Sequence, residues 1–516
     1  MIEFSLEEII SDGMVLQRNE RNKIFGTAPK GDRVHVTLRD THGNLLDDNW
    51  SVADENNRFE VGIMPLEAST GNKMAVRNEF TNQVITVENI SIGEVWLAGG
   101  QSNMEFFNKY EKNWKNNKNL PINNKIHFYN VPQRAFEGHV THNGEGRDGY
   151  GKWLCDKEIG YENFSAIGYI FARIIQEKLK VPVGIIGCNW GGTTASAWVP
   201  ETVLKKAPLD KYLKEYANEV EKYDEETLKE LSLSAWETID SPKSYRNFEK
   251  FLYGCDRATQ LEFLKEQDVV VPMGPFNENR PGGLYQTMLK KVTSYTIKGA
   301  LWYQGESDAG DRAFMYDELL KGLIASWRNA WNKDFPFLLV TLAPFKEWLA
   351  CTNDNYKIVR EKQRLVAETV ENVYMTAIGD LGEEYDIHPK EKAQIGKRLA
   401  GLALAHVYHL KDAAEVNNPS LGSAKIKGGK IILEFDNAKE LKSKGEHDPI
   451  LLRAGDAEQT VDSYNLEGNK MIISLTDEFA DKEEIFVSIG MDDWGIIYTT
   501  NENCLPIVPF ETKVVQ

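Results

Sequence analysis

The chain has 516 residues, 41% of them apolar and 10% aromatic, which is material for a large core and for roughly three domains at about 150 residues each, and excludes a disordered chain. Its 78 acidic and 60 basic residues leave a formal net charge of −18, which argues against nucleic acid as a partner, because phosphate binding needs a basic surface, and suits neutral or sugar-like substrates. The cysteines, Cys155, Cys188, Cys255, Cys351 and Cys504, are scattered with no CxxC, so neither a disulfide framework nor a metal site is expected and no cofactor is implied.

Residues 1–88 carry short alternating runs, such as Arg33–Leu38 and Phe59–Ile63, separated by Gly, Asn and Asp clusters, and read as a β-sandwich-like domain. The start, Met1–Gln17, has no basic stretch followed by an apolar run, and no later run approaches about 18 uncharged apolar residues. A cytoplasmic protein without a membrane span is therefore the expectation. From residue 89 to 412 the texture changes. Apolar runs at Glu94–Ala98, Val183–Gly187, Ala300–Tyr303, Phe337–Leu342 and Val373–Ile378 alternate with helix-period segments. One helical face is Ile167, Ile170, Phe171, Ile174 and Leu179, another Leu319, Leu320, Leu323, Ile324 and Trp327, and a third Ile395, Leu399 and Leu402. Apolar strands alternating with amphipathic helices predict an α/β fold with a parallel sheet covered on both faces. Residues about 203–265 interrupt it with a charged helical insertion, which reads first as a solvated surface excursion and alternatively as an overhang of the site. Residues 413–516 return to the alternating texture, as in Lys430–Phe435 and Ile485–Ile489.

Ligands of open parallel sheets bind beyond the carboxyl ends of the strands, so chemistry is sought there. The first strand runs into Gly99-Gly100-Gln101-Ser102-Asn103-Met104, where a tight glycine turn sets a serine at the start of a helix. The second ends in Asn189-Trp190-Gly191-Gly192-Thr193, a source of free backbone N–H groups. The third ends in Gln304-Gly305-Glu306-Ser307-Asp308, where a neutral amide could face a developing oxyanion. The fifth leads through Asp380 to Asp386-Ile387-His388-Pro389. A serine hydroxyl becomes a nucleophile when a base takes its proton, and His388 sits beside an acid just before a helix. His139 and His142 have an HxxH spacing without a supporting acid or cysteine cluster, and read as loop residues.

Taken together, Gly100-Gln101-Ser102-Asn103-Met104, Trp190-Gly191-Gly192-Thr193, Trp302-Tyr303-Gln304-Gly305-Glu306-Ser307 and Asp386-Ile387-His388-Pro389 resemble the blocks of the sialate O-acetylesterase family, within the SGNH hydrolases. Ser11–Gln17, Pro281–Tyr285 and Leu505–Phe510 are similar to it as well, so the resemblance runs nearly end to end. It implies a three-layer α/β/α catalytic domain flanked by β regions, and metal-free hydrolysis of acetyl esters on a small sugar or oligosaccharide. It implies Ser102 as nucleophile and His388 as base. The oxyanion hole would come from the Ser102 N–H, a Gly191 or Gly192 N–H and the Gln304 side chain, with Gln101, Asn103 and Glu306 supporting the site or meeting substrate. The acid falls at Asp386, two residues before the histidine, where many SGNH hydrolases place it three before. Asp386, Asp380 or a backbone carbonyl could orient His388. A carbohydrate-binding protein on a hydrolase scaffold and a glycosidase using Glu306 and Asp308 stand as alternatives.

Overall fold

The structure is a computed structural model that describes residues 2–139, 149–240, 253–266, 269–349, 351–491 and 494–515. At its centre is a parallel sheet whose strands are β1 (Val84–Gly100), β2 (Ile126–Asn130), β3 (Val183–Asn189), β4 (Gly299–Tyr303), β5 (Phe337–Val340) and β6 (Val373–Thr376). They lie in the order β2-β3-β1-β4-β5-β6, all parallel, with Trp153–Cys155 antiparallel on the outer edge of β2. Strands covered on both faces have no reason to alternate, and β2, β3, β4 and β5 are buried along their whole length. The sequence reading missed β2, whose His127 and Asn130 interrupt its apolar run.

Helices α2 (Ala166–Leu179), α3 (Tyr316–Trp331), α4 (Tyr356–Thr369) and α5 (Lys392–Leu402) flank the sheet's strands in sequence, after the single turn α1 (Ser102–Glu105). The hydroxyl of Ser165 caps α2 by accepting from the Gly168 N–H, and Lys180 closes it in the left-handed conformation. α2 packs on α5 and on β3, and α3 packs on α4. Trp302 of β4 meets Trp327 of α3 edge to face at 5.4 Å, an arrangement that contributes about 1 kcal/mol beyond area burial.

The chain leaves β1 for β2 and β3 on one side and later crosses to β4 on the other. β1 is therefore the topological switch point, and ligands of such sheets bind outside its carboxyl end. The boundary read at residue 88 falls inside β1. The amino-terminal half of that strand pairs antiparallel with Ser69–Asn78, so the N-terminal strands continue the central sheet and share its apolar core. Residues 420–515 instead form two antiparallel four-stranded sheets around a core of their own, including Ile431, Leu433, Leu452, Ile473 and Val487.

Candidate active site

β1 ends at Gly99-Gly100. Gly100 has φ of +141°, and a Cβ there would stand 2.1 Å from the Tyr303 carbonyl oxygen of β4, so the turn needs glycine. α1 follows, with the Met104 and Glu105 N–H groups bonded to the Gln101 carbonyl. The Ser102 N–H has no acceptor among the described residues. The Ser102 hydroxyl lies 2.9 Å from His388 Nε2, within hydrogen-bond reach, and both residues are buried.

His388 is carried by the segment between β6 and α5. Its Nδ1 lies 3.3 Å from Asp386 Oδ1, without the alignment of a hydrogen bond, and the same oxygen accepts the His388 backbone N–H at 2.8 Å. Lys390 Nζ holds the other carboxylate oxygen at 2.7 Å. Burial favours protonation of Asp386, but His388 and Lys390 outweigh it and bring its carboxyl down to about 2. Burial lowers His388 below the usual histidine value, against the pull of Asp386. Asp380 is engaged elsewhere: both its oxygens receive the Arg398 guanidinium, at 2.8 and 2.6 Å. Rings of Trp348 and Tyr253 close on the imidazole edge to face, at 4.9 and 5.2 Å.

Two of the expected oxyanion donors are committed elsewhere. The Gly191 N–H donates to Glu105 Oε2 at 2.8 Å, and Glu105 is fixed in turn by Gln133 at 2.9 Å. A Cβ on Gly191 would stand 3.2 Å from Glu105 Oε2 and 3.3 Å from Ser102 Cβ, so this glycine allows close approach and does not supply a donor. Gln304 is wholly buried, and its amide nitrogen reaches Asp308 Oδ2 at 2.6 Å, Gln101 Oε1 at 3.1 Å and the Thr193 carbonyl at 3.2 Å. An amide has two N–H bonds, and three acceptors already surround them. Gln304 therefore fastens the turns after β1, β3 and β4. Gly192, with φ of +75° and an exposed N–H that has no acceptor among the described residues, is the member of the pair left free.

The supporting residues sort in the same way. Gln101 accepts from Gln304 and from the Ser307 N–H at 3.2 Å, inside the scaffold. The Asn103 amide donates to Glu306 Oε1 and, at 3.0 Å, to the Ile387 carbonyl. Asp308 is wholly buried and accepts from the Tyr212 hydroxyl and the Ala195 N–H, each at 2.7 Å. Burial raises Glu306 to about 6.

The insertion is more than a solvated excursion. Tyr212 bonds Asp308, Tyr253 packs on His388, and Trp236 lies 5.9 Å from Trp190 and 4.6 Å from His139. His139 is buried and paired with Asp240 at 2.8 Å, while His142 lies outside the described residues. Among the described residues no three His, Cys, Asp or Glu side chains converge as a metal site requires, and no helix is long and apolar enough to cross a membrane. Sequence reasoning missed Glu105, Tyr253, Trp348 and Lys392. Only Lys392 carried a signal, as a charge three residues before Ile395 on an apolar helix face.

The family described as carbohydrate esterase, sialic acid-specific acetylesterase matches residues 273–405. Rat sialate O-acetylesterase is 24% identical over 443 residues, covering 80% of this chain and 75% of that protein. The human sialate O-acetylesterase is 23% identical over 439 residues, covering 80% and 72%. The chain is similar to this family over these stretches and is a carboxylic ester hydrolase. A carbohydrate acetylesterase from Xanthomonas citri has the same fold, with a TM-score of 0.73 over 98% of this chain and 99% of that one, at 22% identity. The family match includes Gln304, Glu306, Asp386 and His388 and stops short of Ser102, which the esterase brings to His388 only by folding.

Proposed function

We propose that this esterase removes O-acetyl groups from a sugar, an acetylated sialic acid or another acetylated glycan, through an acetyl-serine intermediate on an SGNH-type three-layer scaffold. The observation that carries this reading is the 2.9 Å contact between Ser102 Oγ and His388 Nε2 at the sheet's switch point. The names of the sialate O-acetylesterases and of the carbohydrate acetylesterase support the substrate class.

In this mechanism neutral His388 takes the Ser102 proton as Oγ attacks the acetyl carbonyl. The carbonyl oxygen becomes an oxyanion facing the N–H groups of Ser102 and Gly192. Collapse of the adduct breaks the ester bond, and His388 returns its proton to the sugar oxygen. Water, deprotonated by the same histidine, then attacks the acetyl-serine, and acetate leaves as Ser102 regains its proton. Asp386 stabilises the imidazolium between these steps. A glycosidase is disfavoured because Asp308 is sealed inside the scaffold with three hydrogen-bond partners and Glu306 bonds Asn103.

Acetate release from a panel of acetylated sugars tests the reading, with Ser102→Ala as control. Release by the wild type alone is expected. No release from any member would point to a carbohydrate-binding protein, and equal release by both proteins would remove Ser102 from the mechanism.

A further inference from the structure

α5 buries a stripe of Lys392, Ile395, Gly396, Leu399 and Leu402, so a lysine heads a row of apolar residues. Lys392 has no exposed surface. Its ammonium donates to Asn103 Oδ1 and lies 4.7 Å from the ring of Phe106 and 5.5 Å from that of Tyr303. Asn103 in turn gives its N–H bonds to Glu306 and to the Ile387 carbonyl. One amide thus joins the nucleophile's turn, the turn after β4 and the residue before His388. A buried cation is costly to keep, and aliphatic packing would serve stability as well or better.

The charges around this group come from several elements. Glu306 faces Lys392 from the turn after β4, and Lys390, Asp386 and Glu383 face it from the histidine segment. Glu111 accepts the Ala393 N–H at the same helix start, at 3.3 Å. His388 is faced by Asp386, Lys390 and Lys392, with the Tyr253 and Trp348 rings at its sides.

We infer that Lys392 is a positioning residue for the esterase reaction. It orients Asn103, which holds Ile387 and with it His388, and its charge opposes protonation of His388, so the base stays neutral into mildly acidic solution. This rests on the reading of His388 as the base. Burial brings the Lys392 ammonium down to about 7 despite the pull of Glu306, and burial also lowers His388. When protonated, Lys392 presents a like charge that resists protonation of His388.

The test is the His388 midpoint, followed by NMR of the histidine-labelled full chain, in wild type, K392M and K392R. The expected result is a rise of roughly half to one pH unit in K392M, the like-charge effect removed, and a wild-type midpoint in K392R. The acid limb of kcat/KM for nitrophenyl acetate should move with it. A lysine that only fills space would leave both unmoved, and an unchanged or lower midpoint in K392M overturns the inference. If K392M does not fold, the Lys392 titration in the wild type decides. A midpoint above that of His388 supports the inference, and one below it overturns it, because the charge would be absent when needed. Ser102→Ala on the same substrate separates the two readings. Turnover retained by that variant removes the serine-esterase mechanism, whereas the His388 midpoint reports the coupling whether or not turnover is seen.

Discussion

The two β regions at the ends of the chain support the two halves of the proposed Ser102–His388 dyad by different means. The N-terminal strands share a sheet and a core with the catalytic part, and β1 runs unbroken to Gly100, so Ser102 stands at the tip of a strand paired along its length. The C-terminal region has its own core and braces the histidine segment from outside. Asn418 Oδ1 accepts the Ala377 N–H at 2.9 Å, and the Ile497 N–H donates to the Gly379 carbonyl at 3.0 Å. Ordering each loop residue costs about 1–2 kcal/mol, so a histidine carried on the segment 377–391 has to be held by contacts. A serine that extends a strand already is. The comparison teaches that the serine side should be robust to damage outside the site and the histidine side should not.

The largest effect comes from removing the serine side itself. Ser102→Ala should lower kcat about 10⁴-fold or more, with His388→Ala similar and the double variant no worse than either, since the two act as one unit. Stability should change by only about 1 kcal/mol, the net value of one hydrogen bond, read as a small shift in Tm. Retention of even a tenth of wild-type turnover would remove Ser102 from the mechanism.

On the histidine side, Asp386→Asn should lower kcat roughly a hundredfold or more. The pH dependence has a definite sign. His388 must be neutral to act, and its value is lowered, so the acid limb of kcat/KM should fall below about 6.5. Both groups also make stability fall with acid. His388 is depressed in the folded state, so its contribution is present above about 6.5 and lost as pH falls through its folded value. Asp386 is held at about 2, so its share is present above about 4 and disappears towards 2. Urea unfolding at pH 7, 5 and 3 should show these two losses in sequence, and in Asp386→Asn the second should shrink.

A matched pair sharpens the comparison further. Asn72 and Asn418 are both buried asparagines bonded to backbone, Asn72 to the Ile90 carbonyl of β1 and Asn418 to Ala377. Each alanine variant leaves a buried backbone group short of a partner, at about 1–3 kcal/mol. Asn418→Ala should also lower kcat several-fold, while Asn72→Ala should leave it near wild type. Equal turnover in the two variants would mean the histidine segment holds itself.

Much of this was legible in the chain. Apolar runs between glycine-rich strand ends located β1, β3, β4, β5 and β6, and the residues following them include the Ser102–His388 contact. What escaped was set by partners far away in sequence. Nothing near Gly191 tells that its N–H is taken by Glu105, eighty-six positions earlier, and nothing near Gln304 tells that Tyr316, Gln363 and Thr193 enclose it. Hydrogen-bond capacity is a property of residue type, but whether it is spent is a property of the fold. Residue 88 falls inside β1 for a related reason: a change in texture marks where the neighbours of a strand change, and β1 keeps going.

Gln304 supplies the modest change in turnover that most directly separates scaffold from site. Its amide nitrogen is surrounded by Asp308, Gln101 and Thr193, and its oxygen accepts the Tyr316 hydroxyl at 2.9 Å. Truncating it in Gln304→Ala leaves the buried Asp308 carboxylate one donor short, while the Tyr316 hydroxyl keeps the Gln304 backbone carbonyl at 2.9 Å, and the loss should cost about 1–3 kcal/mol of stability or more, since the group is charged. Well below the melting temperature, kcat should fall about tenfold or less, because no N–H of this side chain remains to meet the oxyanion. A donor in the oxyanion hole would behave the opposite way, losing roughly a hundredfold or more in kcat with the melting temperature nearly unchanged. Measuring Tm and kcat on the same preparation therefore assigns the residue, since scaffold and donor predict opposite pairings of the two numbers.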